Sequence, residues 1–196
     1  MTHDVTVALA ALGVAGQALA ALLLLVGIAW LGGLRGPALL LRELVEGYEL
    51  WLVFLVSSVA TGGSLFFSEI AGFVPCELCW YQRICMYPLT IASLLAAGAN
   101  DRRISRYLLP LPLVGAGVST YHLLVENHVV EQARACLISA PGGCATKWIN
   151  EFGYVTIPTL AFTGFVLTLA FLLLSVVDPH RVGSIDDDVD TGATLG

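Results

Sequence analysis

The sequence predicts an all-α integral membrane protein. Charged side chains make up 12% of the 196 residues, while the apolar types AVILMFWYC make up 57%. The mean hydropathy is +0.83. An ordinary soluble domain is about 25% charged, and a soluble fold of this length cannot cover its apolar surface with so few charges. A soluble globular enzyme, a disordered chain and a nucleic-acid binder with a basic face are therefore excluded. The long apolar runs approach or exceed the roughly 20 residues that carry a helix across a bilayer, where backbone groups must be satisfied internally.

The first run, Val5 to Leu34, has no charge and only Gln17 as a strongly polar break. It reads as span one. A cleaved signal peptide is disfavoured, because the lead Met-Thr-His-Asp has no Lys or Arg and the run is too long. Gly36-Pro37 opens a connector to Glu49, with Arg35, Arg42, Glu43, Glu46 and Glu49 in or beside it. Span two runs from Leu50 to Ser68 and span three from Cys79 to Ala99. A turn at Asn100 to Arg103 precedes span four, Tyr107 to Leu124. A polar loop, Glu126 to Phe152, leads to span five, Tyr154 to Val177. The tail Asp178 to Gly196 carries Asp186, Asp187, Asp188 and Asp190 and reads as disordered.

Lys and Arg in short loops set orientation. Arg35 and Arg42, then Arg102, Arg103 and Arg106, then Arg181 fall on one side if all five spans cross; Arg134 and Lys147 fall on the other. The six arginines mark the cytoplasm, so the N-terminus and the loops at 68–79 and 126–152 are expected outside. Five of the fifteen acidic residues follow the last span, so the acidity belongs largely to the tail and says little about substrate.

With this topology Cys76, Cys79, Cys136 and Cys144 share the outer face, where disulfides persist. Cys85 lies within span three and reads as a small buried hydrophobe. Cys76-Glu-Leu-Cys79 follows Pro75 at the start of a helix, and a helix N-terminus and a nearby cation both favour thiolate. Arg83, four residues beyond Cys79, shares its helical face; it either reaches lipid headgroups or supplies a fixed positive charge beside a thiolate and a reducible ligand. Cys136 and Cys144 flank Ser139, Pro141, Gly142 and Gly143, a turn-rich loop able to bring two cysteines to disulfide distance. A structural staple and a four-cysteine zinc site are the competing readings. Two pairs on one face suggest exchange, the thiolate of one attacking the disulfide of the other. His122 and Glu126, one turn apart on span four, read either as packing groups or as ligand contacts at the depth of the C-x-x-C.

The run from Pro75 through Cys-Glu-Leu-Cys-Trp-Tyr-Gln-Arg-Ile-Cys-Met-Tyr to Pro88 resembles the signature of the DsbB family of membrane disulfide-forming oxidoreductases, most of all its BdbC-like subgroup. Tyr121-His122 with Glu126 is similar to that family's third helix. Cys136 to Cys144, Lys147-Trp-Ile-Asn150, Phe152-Gly153 and Thr156-Ile-Pro158-Thr159 resemble its second loop and the start of its last helix. The resemblance implies a four-helix transmembrane bundle formed by spans two to five, with span one as an extra N-terminal transmembrane helix. It divides the chain into 1–47, a catalytic bundle at 48–177, and the tail 178–196.

It also implies roles. Cys76 and Cys79 would be the pair reoxidised by quinone (ubiquinone or menaquinone), with Cys79 the quinone-proximal thiolate, able to form a charge-transfer or covalent adduct, and Arg83 in support of both. Gln82 and His122 are weaker candidates for the quinone pocket. Cys136 would form the mixed disulfide with an extracytoplasmic, DsbA-like thioredoxin-fold partner, and Cys144 would exchange with Cys76. Exchange alone conserves disulfides, so making a new one needs an electron acceptor, and quinone is the lipid-soluble one. A protein of the vitamin K epoxide reductase type is disfavoured because there the loop cysteines precede the C-x-x-C. A reductive thiol transporter would want a cysteine reachable from the cytoplasm, and none lies in those loops. A non-catalytic membrane module with metal-binding or structural cysteines is the alternative from another class.

Overall fold

Among the described residues, four helices are long and apolar enough to cross a membrane: Thr2–Leu31, Glu49–Ile70, Ile104–Glu126 and Ile157–Val176. The computed structural model describes residues 2–176. Along it run α1 (Thr2–Leu31), α2 (Arg35–Val45), α3 (Glu49–Leu65), α4 (Glu77–Ala99), α5 (Ile104–Leu108), α6 (Pro110–Glu126), α7 (Arg134–Ser139) and α8 (Ile157–Val176). Among the described residues there is no β-strand, only an isolated bridge between Glu151 and Val155. The expected tail at 178–196 lies outside the described residues, as does Arg181.

The remaining expected span, span three, is α4. Its 23 residues are long enough, yet it is less apolar than the other four. The reason is position: α4 packs against α3, α6 and α8, and its Gln82 and Ser93 are buried inside the bundle rather than turned to lipid. The expected connector after span one also differs. It folds as the amphipathic helix α2, whose Leu41 and Val45 pack on the core while Leu39, Leu40 and Leu44 are exposed, an arrangement suited to a membrane surface.

Local chemistry sets the ends of the elements. α3 passes into one turn of π-helix at Phe66–Ile70. Pro75 precedes the extended residue Cys76, which is the N-cap of α4. Asn100, at φ 50°, closes α4 in the left-handed conformation. Pro110 begins α6, where its missing N–H costs nothing.

The core joins Val53, Cys85, Met86, Leu89, Ala96, Phe165 and Leu172. Cys85 is thus a core residue. Lipid supplies no hydrophobic drive between helices, so close approach through small residues and interhelical hydrogen bonds hold them. Thr61 and Thr90 bond at 2.9 Å, and Ser105 and Ser175 at 2.8 Å. Gly115 lets α6 meet the Phe165 ring, which a Cβ would overlap. Gly115→Ala is expected to destabilise the bundle by about 1–3 kcal/mol through overpacking. A lower Tm in detergent, largely recovered by adding Phe165→Leu, is the expected result; an unchanged Tm counts against this contact.

Candidate functional site

At the start of α4, Cys76 caps the helix and Cys79 sits one turn in, their sulfurs 3.0 Å apart as free thiols. A helix start leaves backbone N–H groups without intrahelical partners. One of them, the N–H of Glu77, donates at 3.1 Å to Ser139 Oγ at the end of α7. This contact ties the second cysteine loop to the first.

That loop contains a disulfide between Cys136 and Cys144, with Cα atoms 5.2 Å apart. The chain turns sharply there through Gly142 (φ 79°) and Gly143 (φ 72°), in the region that favours glycine. A Cβ on Gly143 would overlap Gln132 Oε1, which accepts the Cys144 N–H at 2.9 Å. Both disulfide cysteines are 1% exposed and pack in one cluster with Cys76, Cys79 and Val125.

His122, on α6, joins the pairs. Its Nε2 is 3.0 Å from the Cys144 carbonyl and 3.7 Å from Cys76 Sγ. Its Nδ1 is 3.3 Å from Gln82 Nε2. A carbonyl accepts and an amide nitrogen donates, so the network assigns the proton to Nε2. One turn further, Glu126 is buried; its Oε2 accepts from Thr156 Oγ1 at 2.8 Å, while Oε1 has no hydrogen-bond partner among the described residues.

The Cys76 thiol is pulled far below its ordinary value, to about 4. The Cys79 thiol donating to its sulfur is the main cause, burial works against it, and His122 adds to the lowering. With both cysteines reduced, this makes Cys76 the more acidic thiol of the pair, whereas the resemblance implied the thiolate at Cys79.

Arg83 does not reach toward headgroups. Its Nε donates to Ser64 Oγ at 3.0 Å and its Nη2 to the Ser64 carbonyl at 2.9 Å, and the guanidinium lies 5.3 Å from the Trp80 ring centre. It lines a cavity of about 330 Å³, together with Cys79 and Gln82. Phe67, Phe73 and Trp148 also line it and stack, with ring centres 5.9 and 5.2 Å apart. Cys76 and His122 are not among the lining residues. The structure thus divides the expected site residues in two. Cys79, Gln82 and Arg83 face the cavity; Cys76 and His122 face the loop disulfide.

Sequence reasoning missed Ser64, the aromatic stack and the four cavity-lining residues of α1, Leu9, Leu12, Gly13 and Gly16. Trp148 stood inside the Lys147–Asn150 motif, but nothing local signalled the others. For metal, Cys76, Cys79 and His122 bring three ligand atoms within 4.8 Å of one another. The four-cysteine zinc reading fails in this state, because Cys136 and Cys144 are bonded to each other.

The family model "Disulfide bond formation protein DsbB" matches residues 48–175. Disulfide bond formation protein C of Bacillus subtilis is 41% identical over 134 residues, 68% of this chain and 94% of that relative. The probable disulfide formation protein of Deinococcus radiodurans is 41% identical over 133 residues, 63% of this chain and 86% of the relative. That of Oceanobacillus iheyensis is 40% identical over 134 residues, covering 67% and 91%. No solved structure matches the chain. The chain belongs to the DsbB family, and with its two cysteine pairs it is a membrane thiol–disulfide oxidoreductase.

The thiol assignment has a pH signature. A lowered value means that Cys76 is charged above about pH 4 and protonates only as pH falls through that value. Ultraviolet thiolate absorbance of the reduced dithiol is expected to persist to pH 5 and fade near 4. In Cys79→Ala, which removes the main donor, the transition is expected to move up by at least one unit. An unmoved midpoint would show that Cys79 is not the donor.

Proposed function

We propose that this DsbB-family chain is a quinone-dependent thiol oxidase that reoxidises an extracytoplasmic, DsbA-like thioredoxin-fold protein. Residues 48–177 form the catalytic bundle. The observation that carries the reading is the double position of Cys79. It lies 3.0 Å from Cys76, at the loop disulfide, and it also lines the apolar cavity. One residue thereby joins the thiol-exchange chamber to a space opening among membrane helices.

The cavity suits the proposed acceptor. At about 330 Å³ it falls at the lower end of small-molecule sites, is largely apolar, and presents Arg83 and Gln82 as polar groups. A quinone supplies a lipid-soluble acceptor for two electrons and two protons. Arg83, pinned by Ser64, offers fixed positive charge and N–H donors beside Cys79. The reduced partner's thiolate attacks the Cys136–Cys144 disulfide at Cys136, and the partner's second thiol releases the mixed disulfide, leaving a loop dithiol and an oxidised partner. Cys144 then attacks the Cys76–Cys79 disulfide at Cys76. Cys136 resolves this by attacking Cys144, restoring the loop disulfide and leaving Cys76 and Cys79 reduced. While Cys76 is engaged with Cys144, Cys79 loses the sulfur to which it donates and becomes the free thiol facing the cavity. His122, donating to the Cys144 carbonyl and reaching Cys76, holds the reacting segments together.

Because Cys136 is 1% exposed, partner attack requires α7 to lift. Leu137 and Ile138 beside it are exposed and offer the partner an apolar foothold.

A reconstituted assay tests the reading: purified protein, quinone and a reduced thioredoxin-like protein, with quinone absorbance followed. Loss of either cysteine pair is expected to abolish turnover, and Cys136→Ala to prevent a trapped mixed disulfide. Arg83→Ala is expected to raise KM for quinone about tenfold, roughly 1.4 kcal/mol of lost binding, while exchange with the partner persists. Unchanged quinone kinetics would remove Arg83 from the site. The proposed orientation is tested in intact cells: a cysteine engineered into the 126–152 loop should react with an impermeant thiol reagent, and reaction only after lysis would reverse the topology.

A further inference from the structure

The family match begins at residue 48, so α1 stands outside it. The Bacillus subtilis relative is matched over 94% of its length, and the unmatched remainder, about nine residues, is too short to hold a counterpart of the 30-residue α1. Yet α1 reaches the cavity beside Cys79 and Arg83 through Leu9, Leu12, Gly13 and Gly16.

The helix is seated there by specific contacts. A Cβ on Gly13 would overlap Leu160 of α8, and one on Gly16 would lie 3.2 Å from Leu167 and Thr163. Glycine at these two positions lets α1 approach α8 closely without displacing those side chains. Gln17, the polar break in an otherwise apolar run, accepts a hydrogen bond at 3.0 Å from Tyr154 Oη. Leu9 reaches across to α3, its methyl carbons 3.5 Å from where a Cβ on Gly63 would stand. α1 therefore bridges α3 and α8 along one flank of the cavity.

We propose that α1 is a wall of the electron-acceptor site. Leu9 and Leu12 contact the apolar portion of the bound quinone, and Gly13 and Gly16 hold the helix close enough to α8 to do so. This rests on the reading of the cavity as the quinone site. Its consequence is that this chain encloses its acceptor on a flank that a family member without α1 leaves to lipid.

The test uses the full chain in detergent with a short-tailed quinone as probe. Acceptor binding is read as the ligand-induced rise in Tm, converted to Kd, beside KM in turnover. Leu9→Trp places bulk in the cavity and is expected to raise Kd and KM at least about tenfold. Leu12→Trp is the second variant, because Leu12 is 59% exposed and tolerates size on its outer side. Arg83→Ala serves as the reference for the acceptor reading. Weakened binding in the α1 variants and in Arg83→Ala supports the proposal. Weakened binding in Arg83→Ala alone overturns the role of α1 and leaves the acceptor reading standing. Absence of quinone binding in the unaltered protein, or binding indifferent to all three changes, overturns both.

Discussion

The arrangement at the cysteine end of the bundle depends on burying the first turn of α4. A helix start presents N–H groups that need partners, and this one lies beneath a loop with little access to water. Ser139 accepts one of these donors from the far side of the second loop, and Cys76 occupies the cap itself. His122 then fills the space between the two cysteine segments, with Gln82 on one ring nitrogen and the Cys144 carbonyl on the other. Each bond satisfies a buried polar group, and an unsatisfied one would be costly in this setting. The same bonds hold a reactive thiolate against a disulfide, so stability and chemistry share one network.

A second consequence is the separation of two environments by a single helical turn. Cys76 lies with His122 and the loop disulfide, while Cys79, one turn on, lines the apolar cavity. Arg83 reinforces this separation without being free to leave, because Ser64 engages the guanidinium at two atoms. A charge inside a membrane protein is expensive unless partnered, and here its partners also aim it at the cavity.

Much was legible in the residues. Scarcity of charge revealed the membrane, and apolar runs located the helices. The C-x-x-C after Pro75 and the turn-rich loop marked the cysteine pairs, and the family membership suggested by the motifs from Pro75 to Thr159 was found. α4 was located from its length and motif even though its inward polar side chains make it less apolar. α2 was read as a connector because Gly36-Pro37 opens it and charges follow at Arg42, Glu43, Glu46 and Glu49, whereas Leu41 and Val45, one helical turn apart, dock on the bundle and carry the segment as a helix. Spacing allowed Cys136 and Cys144 to pair but did not require it, since a zinc site fits the same loop. The division of Gln82 and Arg83 from His122 was not legible at all.

By itself, then, the sequence determined what short-range periodicity and composition encode: an all-helical membrane protein, its spans, and two cysteine pairs with a neighbouring arginine. Only the tertiary structure decided which groups meet. His122 and Gln82 are 40 positions apart, Ser139 and Glu77 are 62 apart, and Gln17 and Tyr154 are 137 apart. Such contacts depend on how closely helices approach, and that is set by glycines such as Gly13, Gly16 and Gly115 against particular partners. A missing side chain carries no sign of what will fill its place, so the role of α1 beside the cavity became visible only once the helices were packed.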